Sequence, residues 1–244
     1  MKTIKSWGPL LAAIALFSLV GTYAQAATVT DCGTDVCFTY DDSTRFGTAT
    51  IVQNSIFFAP TNFKASSTNG DGLKVRRVTL NITIDVTNPE FSMSQFFLEE
   101  QGDYLLEGER ASVRANGLFA VTSGTKTCEN PYSPIFPALP CRKSDTFTAG
   151  DLLVQGTLTN WSASSFIDLA DNAEWANDTS VVMTLQNNLN ATTFVNGEQA
   201  FIQKKFAGVG IRVLPEVPVP AAVWLMGSAL GVLGMTRRRR FTAQ

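Results

Sequence analysis

From Val78 to Val86 the chain alternates without a break: Val78, Leu80, Ile82, Ile84 and Val86 are apolar, and Thr79, Asn81, Thr83 and Asp85 are polar. A period of two puts the apolar set on one face of an extended strand, so this segment predicts a half-buried antiparallel strand. Comparable runs occur at Val113 to Val121, Leu152 to Thr159, Val181 to Leu185 and Val209, Ile211, Val213, with a bulge expected where the phase shifts between Ile51 and Val52. No part of the body gives a long apolar stripe of period 3.6. Turn chemistry punctuates the runs at Asn69-Gly70-Asp71-Gly72, Asn88-Pro89, Gly102-Asp103, Asn116-Gly117, Ala149-Gly150-Asp151 and Asn196-Gly197. About eight to ten strands at this spacing predict an all-β, antiparallel β-sandwich of jelly-roll or Greek-key type.

Twelve phenylalanines, among them Phe96, Phe97, Phe119, Phe147 and Phe166, fall on or beside these runs. An inter-sheet core is the expected use, and an aromatic platform for stacking sugars is the alternative. The four cysteines, Cys32, Cys37, Cys128 and Cys141, allow three connectivities. The local pairs 32–37 and 128–141 are preferred because each encloses turn residues; a zinc site is disfavoured because the usual two-residue spacings are missing. Between Cys128 and Cys141, Pro131, Pro134, Pro137 and Pro140 recur every third residue, as on one edge of a polyproline II helix. Such a helix would span roughly 40 Å, whereas a disulfide needs its Cα atoms within about 7 Å. A bridged, doubled-back loop is therefore expected in place of a proline-rich peptide ligand.

The sequence contains no histidine, which removes imidazole bases, imidazole metal ligands and Ser/His or Cys/His pairs together. Asp168, Asp171, Asn172, Glu174, Asn177 and Asp178 form the densest set of oxygen ligands, but without the ligand order of a calcium-binding EF-hand loop, so a solvated loop is expected. Glu99, Glu100, Asp103, Glu107 and Glu109 could in principle hold a glycosidase carboxylate pair. Acids flanking a turn are commonplace, and neither a catalytic, a cofactor nor a metal site is assigned. Thr-x-Thr pairs at 28/30, 48/50, 125/127, 146/148 and 157/159 lack the fixed spacing that an ice-binding array needs.

The two ends read as addresses. Lys2 and Lys5 precede an 11-residue apolar run, Leu10 to Val20, and Ala24-Gln25-Ala26 then supplies small residues for signal peptidase. A spanning helix needs about 20 apolar residues, so residues 1–26 are expected to be a cleaved signal peptide. At the other end, Pro215, Glu216, Val217, Pro218, Val219 and Pro220 lead into a 15-residue apolar stretch, Ala221 to Met235, closed by Arg237, Arg238, Arg239 and Arg240. As a helix the stretch is about 22 Å long, short of a bilayer core of about 30 Å. It reads as a weak or transient membrane anchor whose arginines stay cytoplasmic. Apart from the six bases of the two ends, the chain has 19 − 6 = 13 Lys and Arg against 21 Asp and Glu. That excess of eight acids argues against nucleic acid and anionic membrane surfaces as partners.

The tail resembles a PEP-CTERM sorting signal: Pro215-Glu216, the stretch Val217 to Leu230, a glycine-interrupted helix and the Arg237 to Arg240 cluster follow in that family's order. Similar tails are also carried by some proteins named for ice binding. The resemblance departs at Val217, which stands where a proline would directly follow the glutamate. It implies an exported protein of a Gram-negative bacterium, processed by an exosortase at the inner membrane and delivered to the cell surface or an extracellular matrix with exopolysaccharide. On this reading residues 27–213 form the extracellular β-sandwich and 214–244 the sorting segment. The body is expected to be structural or adhesive and not an enzyme, with a carbohydrate-binding module or weak glycosidase as the alternative.

Overall fold

The computed structural model describes residues 28–42, 44–128, 138–170, 172–175 and 177–215, with backbone alone over 211–215. Among these residues are twelve strands: β1 (Thr28–Cys32), β2 (Val36–Asp41), β3 (Ala49–Val52), β4 (Ser55–Phe58), β5 (Lys64–Thr68), β6 (Gly72–Val86), β7 (Phe91–Glu107), β8 (Ser112–Cys128), β9 (Leu139–Thr148), β10 (Thr159–Asp168), β11 (Ser180–Thr193) and β12 (Gln199–Pro215). A single 3-10 turn spans Ala173–Trp175. The strands form two antiparallel sheets. One runs β1-β2-β6-β11-β8-β9; the other runs β10-β7-β12-β4-β3, with β5 also paired to β12.

The sheets meet in a sandwich-like arrangement over one apolar core. Leu80, Ile82 and Ile84 from β6, Met183 and Leu185 from β11 and Phe119 and Val121 from β8 join Ile56, Phe58, Phe96, Leu98, Ile202 and Val209 from the second sheet in the same cluster. Each fully buried aliphatic or Phe side chain contributes about 1.5–3 kcal/mol relative to exposure. The unbroken alternation of Val78 to Val86 is thus a strand with one face in the core, as expected. Of the twelve phenylalanines on or beside the predicted strands, Phe58, Phe63, Phe96, Phe119 and Phe147 are core residues, while Phe97, Phe166 and Phe194 are exposed.

Four local expectations are corrected. Gly102-Asp103 and Asn116-Gly117 are not turns but lie inside β7 and β8. Each glycine sits directly across from an aromatic residue, Gly102 from Trp161 and Gly117 from Phe147. A Cβ on Gly102 would fall 2.7 Å from the indole, and one on Gly117 would fall 2.3 Å from the Phe147 ring. These glycines mark close approach of a ring to backbone. Leu152 to Thr159 is not a strand over most of its length: Gly150 and Gly156 have φ of 73° and 75°, and the segment runs past β7, with Val154 N–H donating to Tyr104 Oη at 3.2 Å and Gly156 N–H to the Leu106 carbonyl at 2.7 Å. Between Ile51 and Val52 there is no bulge; β3 and β4 keep regular register from Ala49↔Phe58 to Val52↔Ser55 across a two-residue turn, in which Gln53 has φ of 53°.

Both local disulfides are present. Cys32 and Cys37 are direct partners across β1 and β2, with Cα atoms 4.0 Å apart. Cys128 at the end of β8 joins Cys141 in β9 at a Cα separation of 4.8 Å, which excludes a continuous polyproline II run between them. Pro131, Pro134 and Pro137 lie outside the described residues. By the chain-entropy relation a loop of this size stabilises the fold by roughly 3 kcal/mol. Two disulfides are consistent with an extracellular or periplasmic location.

Candidate functional site

Three polar side chains interrupt the apolar core, and each does so in phase with it. In β11, Val181, Met183, Leu185, Leu189 and Ala191 point inward at every second position, and Asn187 shares their phase. In β7, Phe96, Leu98, Tyr104 and Leu106 do the same, and Glu100 falls among them. In β12, Ala200 and Ile202 are followed by Lys204, after which a register shift between Lys204 and Phe206 forms a bulge. The bulge turns Lys205 outward, where it pairs with Asp103, and lets Ala207 and Val209 resume the inward face.

Asn187, Glu100 and Lys204 are 1%, 0% and 1% exposed. They meet between the sheets. Lys204 Nζ donates to Asn187 Oδ1 and lies 2.5 Å from Glu100 Oε1; Asn187 Nδ2 donates to that same Oε1 at 2.9 Å. The Lys204 ammonium position is also 5.4 Å from the ring centres of both Phe46 and Phe63. Glu100 Oε2 is buried without a hydrogen-bond partner. Burial pushes the Glu100 carboxyl up, against the opposing pull of Lys204 and Asn187. Burial likewise pushes the Lys204 amine down to about 8, although Glu100 opposes it. Both displacements favour the neutral acid and the neutral amine, because desolvation penalises the charged forms.

Of the carboxylates singled out from the sequence, Glu99, Glu100, Asp103 and Glu107 lie in β7. Glu99 and Glu100 point to opposite faces of β7, and Asp103, on the face opposite Glu100 but itself only 1% exposed, pairs with Lys205. In the 168–178 loop, Asp168 accepts from Ala170 N–H and Gln95 Nε2, and the Ala170 N–H is the chief cause of its lowered carboxyl pKa. Asp178 is buried and accepts from Thr125 Oγ1 at 2.7 Å and Ser180 N–H at 3.2 Å. Glu174 Oε2 lies 3.0 Å from Cys128 Sγ. Among the described residues, only Cys128, Cys141 and Glu174 bring three potential ligand atoms within 4.8 Å, and both sulfurs are already joined to one another. Asp171 lies outside the described residues, as do residues 1–26, where a signal peptide is expected. In the tail Pro215 ends β12 opposite Phe91, whereas Glu216, Val217, Pro218, Val219, Pro220 and Arg237 to Arg240 lie outside. The Thr-x-Thr pairs are scattered over both sheets, with Thr28 and Thr30 in β1 and Thr50 in β3.

On the outer surface, Phe97 and Phe166 are direct cross-strand partners of β7 and β10, with ring centres 4.8 Å apart and planes at 37°. They are 44% and 43% exposed. Together with Glu99, Ser162, Ser164 and Asp145 they line an open groove of about 950 Å³ between β10 and the end of β9. No family model matches this chain, and no curated protein matches it.

Proposed function

We propose that this is an exported bacterial protein sorted by a PEP-CTERM and exosortase system to the cell surface or extracellular matrix, where the sandwich serves a structural or adhesive role with exopolysaccharide. The observation that carries the reading is the tail, in which a proline-flanked motif, a short apolar stretch and four arginines follow in that order. The two disulfides support it, since they suit an oxidising compartment. Signal peptidase would remove residues 1–26, and the membrane would hold the tail only in transit. No cofactor or catalytic residue belongs to this reading. We read the sandwich as a jelly roll: counted from β5, the eight strands fall β5-β12-β7-β10 in one sheet and β6-β11-β8-β9 in the other, the order of two interlocked Greek keys. Mass spectrometry of the surface or secreted protein is expected to find an N-terminus near Ala27 and no intact tail. A mature population carrying residues through Gln244 would overturn the processing.

The exposed Phe97–Phe166 pair favours a second reading, a carbohydrate-binding module. Sugars present apolar faces that stack on aromatic rings, and Glu99, Ser162 and Ser164 supply polar contacts beside the pair. On a glycan array the body should then show selective binding that Phe97→Ala and Phe166→Ala each weaken roughly 2- to 10-fold. Binding unchanged in both variants would eliminate the pair as a platform.

A further inference from the structure

An amine, a carboxamide and a carboxyl group, all fully buried and in mutual contact, are the components of an amide exchange. Lys204 Nζ touches Asn187 Oδ1. That oxygen is about 1.23 Å from Cγ, so the amine nitrogen stands within about 3.5 Å of the amide carbon, in the range of near-attack geometry. Glu100 Oε1 contacts both the nitrogen that would attack and the nitrogen that would leave, at 2.5 Å and 2.9 Å. Aromatic rings of Phe46 and Phe63 close the site on the lysine side. Water, which would otherwise compete for the amide carbon, is excluded by the core.

We infer that Lys204 and Asn187 become joined by an intramolecular isopeptide bond, with Glu100 carrying the proton between the two nitrogens. Lys204 first passes a proton to Glu100, leaving a neutral amine and a carboxylic acid; this is the direction in which burial moves both groups. The Nζ lone pair attacks Asn187 Cγ while the acid stabilises the oxygen that gains charge. Glu100 then takes a proton from Nζ and delivers one to Nδ2. The Cγ–Nδ2 bond breaks, ammonia leaves, and a Cγ–Nζ bond remains. No oxidant, reductant or further reactant is needed: amine plus carboxamide give secondary amide plus ammonia.

The product also accounts for the composition of the site. A lysine ammonium and a carboxylate with one unpartnered oxygen are costly to bury, whereas a secondary amide beside a neutral carboxylic acid is not. Because Asn187 lies in β11 of one sheet and Lys204 in β12 of the other, the bond would tie the two sheets together through the core. The inference concerns this buried site alone and stands whether or not the tail is processed.

Cleavage of the full-length secreted chain after glutamate provides the test, since Glu198 separates Asn187 from Lys204. After reduction of the disulfides, the peptide 175–198 and the peptide beginning at Gln199 should be recovered as one joined species, about 17 Da lighter than their sum through loss of ammonia. Fragmentation should place the link at Asn187 and Lys204. Glu100→Gln, which preserves the shape of the acid, should yield the two peptides separately, as should Asn187→Ala and Lys204→Arg. Two separate peptides of unaltered mass from the folded wild-type protein would overturn the inference, and a link that persists in folded Glu100→Gln would overturn the role of Glu100. Should a variant fail to fold, the wild-type digest decides the bond by itself.

Discussion

Glu100→Ala is expected to lower stability by about 3–5 kcal/mol, seen as a fall in Tm of roughly 6–20 °C for a domain of this size. The reason is the company that Lys204 keeps. Its Nζ has Glu100 Oε1, the Asn187 amide and two phenylalanine rings around it, and its exposure is 1%. Removal of the carboxyl group leaves the amine in a low-dielectric core with one amide oxygen as its polar partner, and removes the proton carrier if the amine and amide are to be joined. Replacement of all three polar groups by apolar residues of similar volume, Glu100→Met, Lys204→Met and Asn187→Leu together, should recover the part of the loss that comes from an uncompensated polar group, while any contribution of an Asn187–Lys204 bond stays absent. Thermal unfolding of the single and triple variants measures both effects. A single variant that melts with the wild type would show that the carboxyl group compensates nothing at this position.

Alternation made the strands legible, since a half-buried strand repeats every two residues and β6, β8 and β11 keep that period over the stretches first noticed. It failed where the same local signal has two physical origins. Gly102 and Gly117 look like turn residues because glycine relieves a turn, yet here glycine makes room for a ring on the neighbouring strand. That information resides in Trp161 and Phe147, 59 and 30 residues farther along, and no local pattern carries it. Leu152 to Thr159 alternates but joins a ladder only at Thr159, because glycines with positive φ at 150 and 156 bend the chain across β7.

The buried triad could have been found by extending the alternation and asking what occupies each inward position. Asn187 follows Leu185 in phase, and Glu100 follows Leu98. Lys204 was harder: inward positions run 200, 202, 204 and then 207, 209, and only the bulge at Lys205 explains the change of parity. The disulfides were legible because both pairs are close in sequence and enclose turns. The strand order was not, since it depends on pairings such as β5 with β12, and β6 with β11, between residues 95 to 139 positions apart.

The same glycine–aromatic pairing yields the second large effect. Trp161→Ala is expected to destabilise by about 3–5 kcal/mol, because the indole is 4% exposed, fills the space over Gly102 and donates from Nε1 to the Gln203 carbonyl at 3.1 Å. Gly102→Ala should be damaging for the opposite reason. Its Cβ would lie 2.0 Å from the Gln203 carbonyl oxygen as well as 2.7 Å from the indole, and overpacking of this kind costs about 1–3 kcal/mol or more. In the double variant the indole is gone and the new methyl occupies part of its space, while the clash with the backbone oxygen of β12 remains. The combined loss should therefore be smaller than the sum of the two single losses by about 0.5–3 kcal/mol, without returning to wild type. Urea unfolding of the four proteins gives the coupling directly. Strict additivity would mean that Gly102 and Trp161 act independently, and the close approach of ring to backbone would then not be the reason a glycine occupies the middle of β7.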